Sequence, residues 1–202
     1  MMIGSSAPGI DADAFNAFEL AGWEYQAPTY DGFIGRITSR LVDPLLDAGH
    51  VGPETRVLDI ATGPGYAAAA ATQRGAAVVG VDVAPAMIRL VRQRHPGLDF
   101  RECGAEALPF DAGSFDAAIS NFVVPHLGRP ERSITEFVRI LVPGGHLALT
   151  TWDLPERARL LGVLLDAIAE AGLRRRTTSP LARPSSGSRM RNSSLPCWNT
   201  AG

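Results

Sequence analysis

The sequence predicts an α/β fold in which helices cover both faces of a parallel sheet. Short apolar runs alternate with amphipathic stretches from residue 56 onward, which is typical of successive βαβ units. A glycine-rich turn joins the first of these runs to the stretch that follows it, as expected where a strand leads into a helix. The chain has 202 residues, a length that predicts one domain.

The composition favours a soluble protein of the cytoplasm. The chain is 46% hydrophobic with a formal net charge of −2, so neither nucleic acid nor an anionic membrane is an expected partner. The two cysteines, Cys103 and Cys197, cannot form a disulfide framework, which favours a reducing compartment. No secretory signal pattern and no apolar run of roughly 20 residues, the length of a membrane span, is found.

The N-terminal part is predicted to be helical. We predict that residues 1–22 form an N-terminal extension. Its first ten residues have no periodicity, and a helix starts after them. The apolar spacing is helical over residues 11–20 and again over residues 32–48, where Gly49 can end the helix.

Strands and helices then alternate as far as residue 173. Pro85 is placed to start a helix, and Pro143-Gly144-Gly145 indicates a turn before the fifth strand. We predict strands over 56–60, 77–82, 98–103, 115–121 and 146–152, and helices over 65–74, 85–95, 130–141 and 155–173.

The turn after the first strand carries the pattern of a nucleotide site. Gly63 and Gly65 allow a tight turn with no Cβ to block a ligand, at a helix N-terminus whose amides face outward. Asp82 ends the next strand, where a carboxylate can accept hydrogen bonds from ribose hydroxyls. Both features fall at the carboxyl ends of strands, which is where open α/β sheets bind ligands.

The loop alone does not decide which nucleotide it fits. Gly63, Gly65 and Ala68 also satisfy the GxGxxG/A fingerprint of nicotinamide dinucleotide sites. A purely structural role for the glycines, in helix–strand packing, is a further alternative. Asp59 lies inside the preceding apolar strand, where a carboxylate is costly without partners, and the nicotinamide pattern gives it no role.

Five segments in order resemble the successive motifs of class I S-adenosylmethionine (SAM)-dependent methyltransferases. The similarity is to the small-molecule branch that includes quinone-biosynthesis C-methyltransferases, and it runs from about Trp23 to Gly172. It implies a Rossmann-like methyltransferase domain over residues 23–172 that transfers a methyl group from SAM to a small-molecule acceptor. The segments are VLDIATGPG, VVGVDVAPAMI, GAEALPF, FDAAISNFVVPHL and RILVPGGHLALT.

The resemblance also implies which residues hold SAM. Asp59, Ala61 and the loop from Gly63 to Gly65 would bind its methionine end. Asp82 would bind the ribose hydroxyls, and Asn121, at the end of the fourth strand, would lie beside the methyl donor.

At the adenine end the sequence departs from the family pattern. Val83 and Met87 would flank the adenine, and Ala105 and Glu106 lie in the segment that touches the adenine edge. The preceding position is often Asp in the family, but here it is Gly104, which we expect to weaken the binding of SAM unless Glu106 or the backbone compensates. Ala61 replaces a residue that is usually Gly, a milder change.

The catalytic step needs few protein groups, because the methyl group of a sulfonium is already activated. A general base is required only if the acceptor must lose a proton. His126, after the fourth strand, is the candidate for this role, and a histidine that only hydrogen-bonds a loop is the alternative. No residues have metal-ligand spacing, so no metal is expected.

The aromatic residues at the N-terminal end allow two interpretations. In the resembling proteins this region closes over the cofactor, which favours an aromatic lid made by Trp23, Tyr25 and Tyr30. Packing within the core is the other interpretation, and the sequence does not separate the two.

Residues 173–202 differ in character from the rest of the chain. They contain six Arg and no Asp or Glu, so the remainder carries a formal charge of −8, and they show no periodicity. We interpret this segment as disordered or as an out-of-frame reading of the normal C-terminus, since Trp198-Asn199 in another frame must encode Glu. A natural basic tail that binds an acidic partner is the alternative.

The tail affects the predicted sheet, since the family continues through another helix and two strands. A sheet in which these strands are missing or altered exposes an apolar edge, which predicts homo-oligomers formed through that edge. It also impairs the acceptor pocket. The alternatives to a methyltransferase are therefore a non-catalytic SAM-binding remnant, a nicotinamide-dependent oxidoreductase and an oligomeric scaffold that uses the tail.

Overall fold

The computed structural model describes residues 11–153, together with 157, 158, 163, 170, 173–175 and 198–200. The chain divides into two compact units. One runs from Glu19 to Thr151 and contains the sheet, and the other combines Met1–Phe18 with Trp152–Gly202.

The first unit follows the predicted alternation of helices and strands. Its strands are β1 (Arg56–Ile60), β2 (Ala77–Asp82), β3 (Asp99–Glu102), β4 (Phe115–Asn121) and β5 (Leu141–Thr150). The helices between and before them, of which the first begins in the other unit, are α1 (Ala12–Gln26), α2 (Ile34–Thr38), α3 (Val42–Ala48), α4 (Tyr66–Gln73), α5 (Pro85–Arg94) and α6 (Pro130–Arg139).

The five strands form one parallel sheet in the order β3-β2-β1-β4-β5. The predicted fold class is therefore confirmed. The chain leaves the central strand β1 toward β2 on one side and returns to β4 on the other. Because the order reverses at β1, the carboxyl ends of β1, β2 and β4 surround a crevice, which is where open α/β sheets bind ligands.

Helices cover both faces of the sheet, as predicted. On one face, Val57 of β1 is fully buried in a cluster with Leu45 and Leu46 of α3 and small residues of α4. On the other face, Leu58 and the fully buried Phe137 of α6 belong to a second cluster. Since successive side chains of a strand point to opposite faces, the adjacent Val57 and Leu58 of β1 supply one core each.

The N-terminal helices differ from the prediction at a proline. The predicted helix over 32–48 is divided into α2, a 3₁₀ turn over Ser39–Leu41, and α3. Pro44 has no N–H to donate to the carbonyl of Arg40, and its ring would clash with that carbonyl. The α-helical geometry therefore breaks and restarts at Val42, which puts Pro44 in the first turn of α3.

The predicted turn at Pro143-Gly144-Gly145 is a bulge inside β5. Phe115 pairs with Leu141, whereas Ala117 already pairs with His146, so residues 142–145 bulge out of the ladder. Gly144 has a φ of +81°, a conformation that glycine adopts without steric cost. The strand therefore begins earlier than the predicted residue 146.

Only part of the C-terminal region is described. Leu173–Arg175 and Trp198–Thr200 form a short antiparallel pair, β6 and β7, where the sequence analysis predicted no strand. The predicted helix over 155–173 falls almost entirely outside the described residues, as does the segment between β6 and β7. Among the helices that the structure describes, none has the length and hydropathy that a bilayer span requires.

We predict that Gly65→Ala destabilises the fold. Gly65 has a φ of +88°, and a Cβ there would lie 2.4 Å from Cγ2 of Val91. Left-handed backbone and overpacking together should lower the free energy of unfolding by about 2–4 kcal/mol in a urea titration. Gly97→Ala is the control, because a Cβ at Gly97 meets nothing within 4 Å. Equal stabilities of the two variants would contradict this account.

Candidate functional site

The loop between β1 and α4 makes a tight turn at the carboxyl edge of the sheet. It runs from Ala61 to Gly65, and three of its residues have positive φ: Ala61 at 56°, Gly63 at 52° and Gly65 at 88°. A Cβ on Gly63 would meet nothing within 4 Å. The space beside Gly63 is thus open, and its binding of a ligand stays a prediction.

Asp59, in β1, fixes this loop through hydrogen bonds. Its side chain is buried at 1% exposure, and its Oδ2 accepts hydrogen bonds from Thr62 Oγ1 at 2.7 Å and from the backbone N–H of Ala68 at 3.0 Å. Burial raises the pKa of Asp59 to about 7, against the lowering effect of these two bonds. No described residue hydrogen-bonds to Oδ1, so that oxygen retains its capacity to accept.

Asp82 joins the loop to the start of α5. It ends β2 at 7% exposure, and its two oxygens accept from the backbone N–H groups of Gly63 and Ala84, each at 2.9 Å. Burial raises the pKa of this carboxyl, and the backbone hydrogen bonds oppose that shift. The carboxylate still has acceptor capacity for a hydroxyl of a ligand.

Asn121 ends β4 on the other side of β1. Its Nδ2 donates to the carbonyl of Thr38 at 3.0 Å, and its Oδ1 accepts from Thr150 Oγ1 at 2.6 Å. These bonds connect the end of α2 to the ends of β4 and β5. The next residue, Phe122, has a φ of +66°, which is uncommon for a bulky side chain and costs backbone energy.

A small cavity of about 30 Å³ lies over the glycine loop. This volume holds little more than water, so a larger ligand requires residues that line the cavity to move apart. The cavity is lined by Tyr30, Thr38, Asp59, Ala61, Thr62, Gly63, Pro64, Tyr66, Ala67 and Asn121.

The residues predicted for the adenine end lie outside this cavity. Met87 is buried in a cluster with Ala27 and Ala84, whereas Val83 is 44% exposed. Ala105 is partly buried against the core beneath α6. Glu106 pairs with Arg129 at 3.0 Å. Their roles toward adenine stay predictions.

His126 has a partner that the sequence analysis missed. It ends the 3₁₀ turn Val124–His126, and its Nδ1 lies 2.7 Å from Oε2 of Glu19 in α1. The ring of Trp23 meets the imidazole edge-on with centroids 5.0 Å apart. Glu19 and Trp23 are four residues apart, so they share one face of α1, but this spacing does not indicate that the face meets His126, 107 residues away.

Of the three residues of the predicted aromatic lid, two lie close together and the third, Tyr25, does not join them. Trp23 and Tyr30 lie with ring centroids 6.1 Å apart, and both pack against the cluster around Met87. Tyr30 also lines the cavity. Tyr25 is 76% exposed and belongs to no such cluster.

Comparison with known proteins agrees with this geometry. Residues 58–149 match the family described as "Methyltransferase domain". Two relatives named demethylmenaquinone methyltransferase come from Renibacterium salmoninarum and Chlorobaculum tepidum, with 33% and 40% identity. The matches cover 55% and 52% of this chain and 47% and 44% of those proteins, so the chain aligns with less than half of each relative.

A structural comparison supports the same fold. A SAM-dependent methyltransferase from Aquifex aeolicus superposes with a TM-score of 0.52 at 19% identity, over 68% of this chain and 84% of that one. The sheet order, the glycine loop and the two buried acids thus define a class I methyltransferase fold. Residues 58–149, which match the methyltransferase domain, contain the glycine loop and most of this sheet. Among the described residues, no group of three or more His, Cys, Asp or Glu could hold a metal ion.

We predict that Ala61→Gly stabilises the fold. Ala61 occupies the left-handed region with a φ of 56°, and glycine relieves that strain at some cost in chain entropy. The free energy of unfolding in urea should rise by about 0.5–1 kcal/mol. Ala69→Gly, within α4, is the control and should lose about 1 kcal/mol. A loss of similar size at Ala61 would show that its methyl group contributes more than its strain costs.

Proposed function

We propose that the chain transfers a methyl group from SAM to a small-molecule acceptor. The observation that carries this proposal is the glycine loop fixed between two buried acids, Asp59 and Asp82. The family match over residues 58–149 supports it. The names of the relatives support a quinone-like acceptor class.

The residues of the loop fit the donor groups of SAM. Oδ1 of Asp59 accepts no hydrogen bond from the described residues and is suited to the cationic amino group of the methionine end. The lone pairs left on Asp82 are suited to the ribose hydroxyls. The open face of Gly63 lets its neighbours' backbone approach the ligand. Val83, Met87, Ala105 and Glu106 remain our candidates for the adenine end.

The main contribution of the protein to this reaction is to position the two reactants. SAM supplies an activated methyl group, and transfer is an in-line displacement in which orientation lowers the barrier. Asn121 is held from two sides, by Thr38 and Thr150, so it offers a rigid polar group beside the cavity. His126 is our candidate for the group that takes a proton from the acceptor.

One alternative is favoured by a specific observation. The matches cover less than half the length of the relatives, so the chain could bind SAM without catalysing transfer. Transfer of a labelled methyl group to any acceptor separates the two functions, since a binding module produces none. A nicotinamide oxidoreductase predicts NADH binding and leaves Asp59 without a role.

The cofactor site is tested by calorimetric titration with S-adenosylhomocysteine, with circular dichroism to confirm folding. We expect binding in the micromolar range that disappears in Asp82→Ala, because the carboxylate both holds Gly63 and faces the ribose. Asp116→Ala is the control, since Asp116 pairs with Arg56 at the amino end of the sheet. A folded protein that releases no heat on titration would overturn the proposed function.

The affinity for S-adenosylhomocysteine should rise with pH up to about 7. The pKa of Asp59 is raised to about 7 by burial, and a cationic amino group favours the ionised form. Binding therefore expels a proton below pH 7, and affinity should rise by at most about tenfold per pH unit there and level off above. Proton release is measured by calorimetry at pH 6 in buffers of different ionisation enthalpy.

The variant Asp59→Asn separates this linkage from that of Asp82, whose pKa is also raised by burial. It should bind more weakly and lose most of the pH dependence. Asp116→Ala should keep it, because the neighbouring Arg56 lowers the pKa of Asp116 to about 2, outside this range. If the affinity of Asp59→Asn for S-adenosylhomocysteine rose with pH as steeply as in the wild type, the pH dependence could not be assigned to Asp59.

A further inference from the structure

We propose that Glu19 is a positioning residue for His126, and that this pair removes a proton from an aromatic acceptor that carries a hydroxyl group. The inference rests on the proposed methyl transfer and names the acceptor class for the same site. Its basis is the contact between α1 and the turn after β4.

The geometry assigns separate tasks to the two imidazole nitrogens. Nδ1 lies 2.7 Å from Oε2 of Glu19, and a carboxylate can only accept, so the proton of the neutral ring resides on Nδ1. Nε2 then carries the lone pair. No described residue hydrogen-bonds to Nε2, which leaves it available to accept a proton from another molecule.

The pair is partly withdrawn from water. The side chain of His126 is 32% exposed and that of Glu19 is 18% exposed. Partial burial strengthens the contact between them relative to a surface pair, while one third of the imidazole still faces outward. This combination suits a base that must reach a bound molecule.

Aromatic rings connect the pair with the cavity. His126 contacts Trp23 at 5.0 Å between centroids, and Trp23 contacts Tyr30 at 6.1 Å. Tyr30 lines the cavity together with Asn121. A planar aromatic molecule can pack along such a row with its ring against aromatic side chains. We therefore place the acceptor beside Trp23, with its hydroxyl toward Nε2.

The chemistry of the acceptor follows from the need for a base. A neutral amine or a carboxylate attacks a methyl sulfonium without first losing a proton, so an oriented imidazole would give it no advantage. A hydroxyl on an aromatic ring becomes a strong nucleophile only when its proton leaves. A carboxylate-oriented histidine is therefore most useful for a hydroxylated aromatic acceptor.

The hydroxyl proton moves to Nε2 of His126, and the electron pair left on the acceptor, on oxygen or on a conjugated ring carbon, attacks the methyl carbon of SAM. One C–O or C–C bond forms, and the S–C bond breaks with its electron pair kept by sulfur. For attack through carbon, the ring then loses a hydrogen and the hydroxyl is restored. In both cases one proton is released to water.

A purely structural role for Glu19 is the competing explanation. The contact between the two side chains would then only fasten α1 to the turn that carries His126. Glu24, also on α1, supplies the matched control, because its carboxylate accepts from the N–H of Ala86 and lies 3.5 Å from Arg89. Glu24→Gln loosens the same helix without touching His126.

The first test measures transfer of a labelled methyl group from SAM to 1,4-naphthoquinol. We expect Glu19→Gln to lower kcat by about 10- to 100-fold, part of the roughly 10²- to 10⁴-fold that general acid–base catalysis contributes, with little change in KM for SAM. Glu24→Gln should keep kcat within about twofold and change stability instead. His126→Ala should lose activity and regain part of it with added imidazole.

The second test needs no acceptor. In nitrogen-15 NMR spectra at pH 8, His126 should carry its proton on Nδ1 in the wild type and in Glu24→Gln. Glu19→Gln should give a mixture of the two tautomers, because the amide can donate as well as accept. The His126 signals are assigned by their absence in His126→Ala.

The possible failures are distinguishable. Equal kcat values and tautomers in Glu19→Gln and Glu24→Gln would overturn the positioning role. A wild-type chain that binds S-adenosylhomocysteine but does not methylate 1,4-naphthoquinol would overturn the acceptor class. A folded chain that does not bind S-adenosylhomocysteine would overturn the proposed function itself, and the acceptor assignment with it.

Discussion

The site depends on one buried carboxylate. Asp59 lies in the central strand at 1% exposure, where an unpartnered charge would be costly. Its Oδ2 accepts hydrogen bonds from the hydroxyl of Thr62 and the N–H of Ala68, which offset this cost. These two bonds hold the strand, the loop and the first turn of α4 in one arrangement, and the left-handed residues of the loop are tolerated within it.

The order and type of the elements in the sheet were predictable because their signals are local. Apolar runs of strand length, glycine turns and Pro85 mark their own positions in the chain. The predictions were wrong where a single residue acts on its neighbours through the backbone. Pro44 divides a helix whose apolar spacing is continuous. Gly144 allows a bulge within β5, where the sequence pattern predicted a turn before the strand.

In the candidate site, too, the contacts signalled by local sequence patterns were predictable and the distant ones were not. Asp59, Gly63 and Asp82 lie in the sequence at the ends of adjacent strands, so pattern alone brings them together. Glu19 is 107 residues from His126, and no local signal links them. The contact depends on where α1 docks, which is set by the packing of Trp23 and its neighbours near Met87. Such distant pairings are decided by tertiary structure.

The position of β1 in the middle of the sheet has a consequence for biosynthesis. Its partner β4 follows much later in the chain, with Ile60 and Ser120 joined across a separation of 60 residues. At about 5–20 residues per second, translation needs roughly 3–12 s to supply that partner. During this interval one edge of the central strand has no native neighbour, and the nascent chain exposes an aggregation-prone segment that a chaperone can shield.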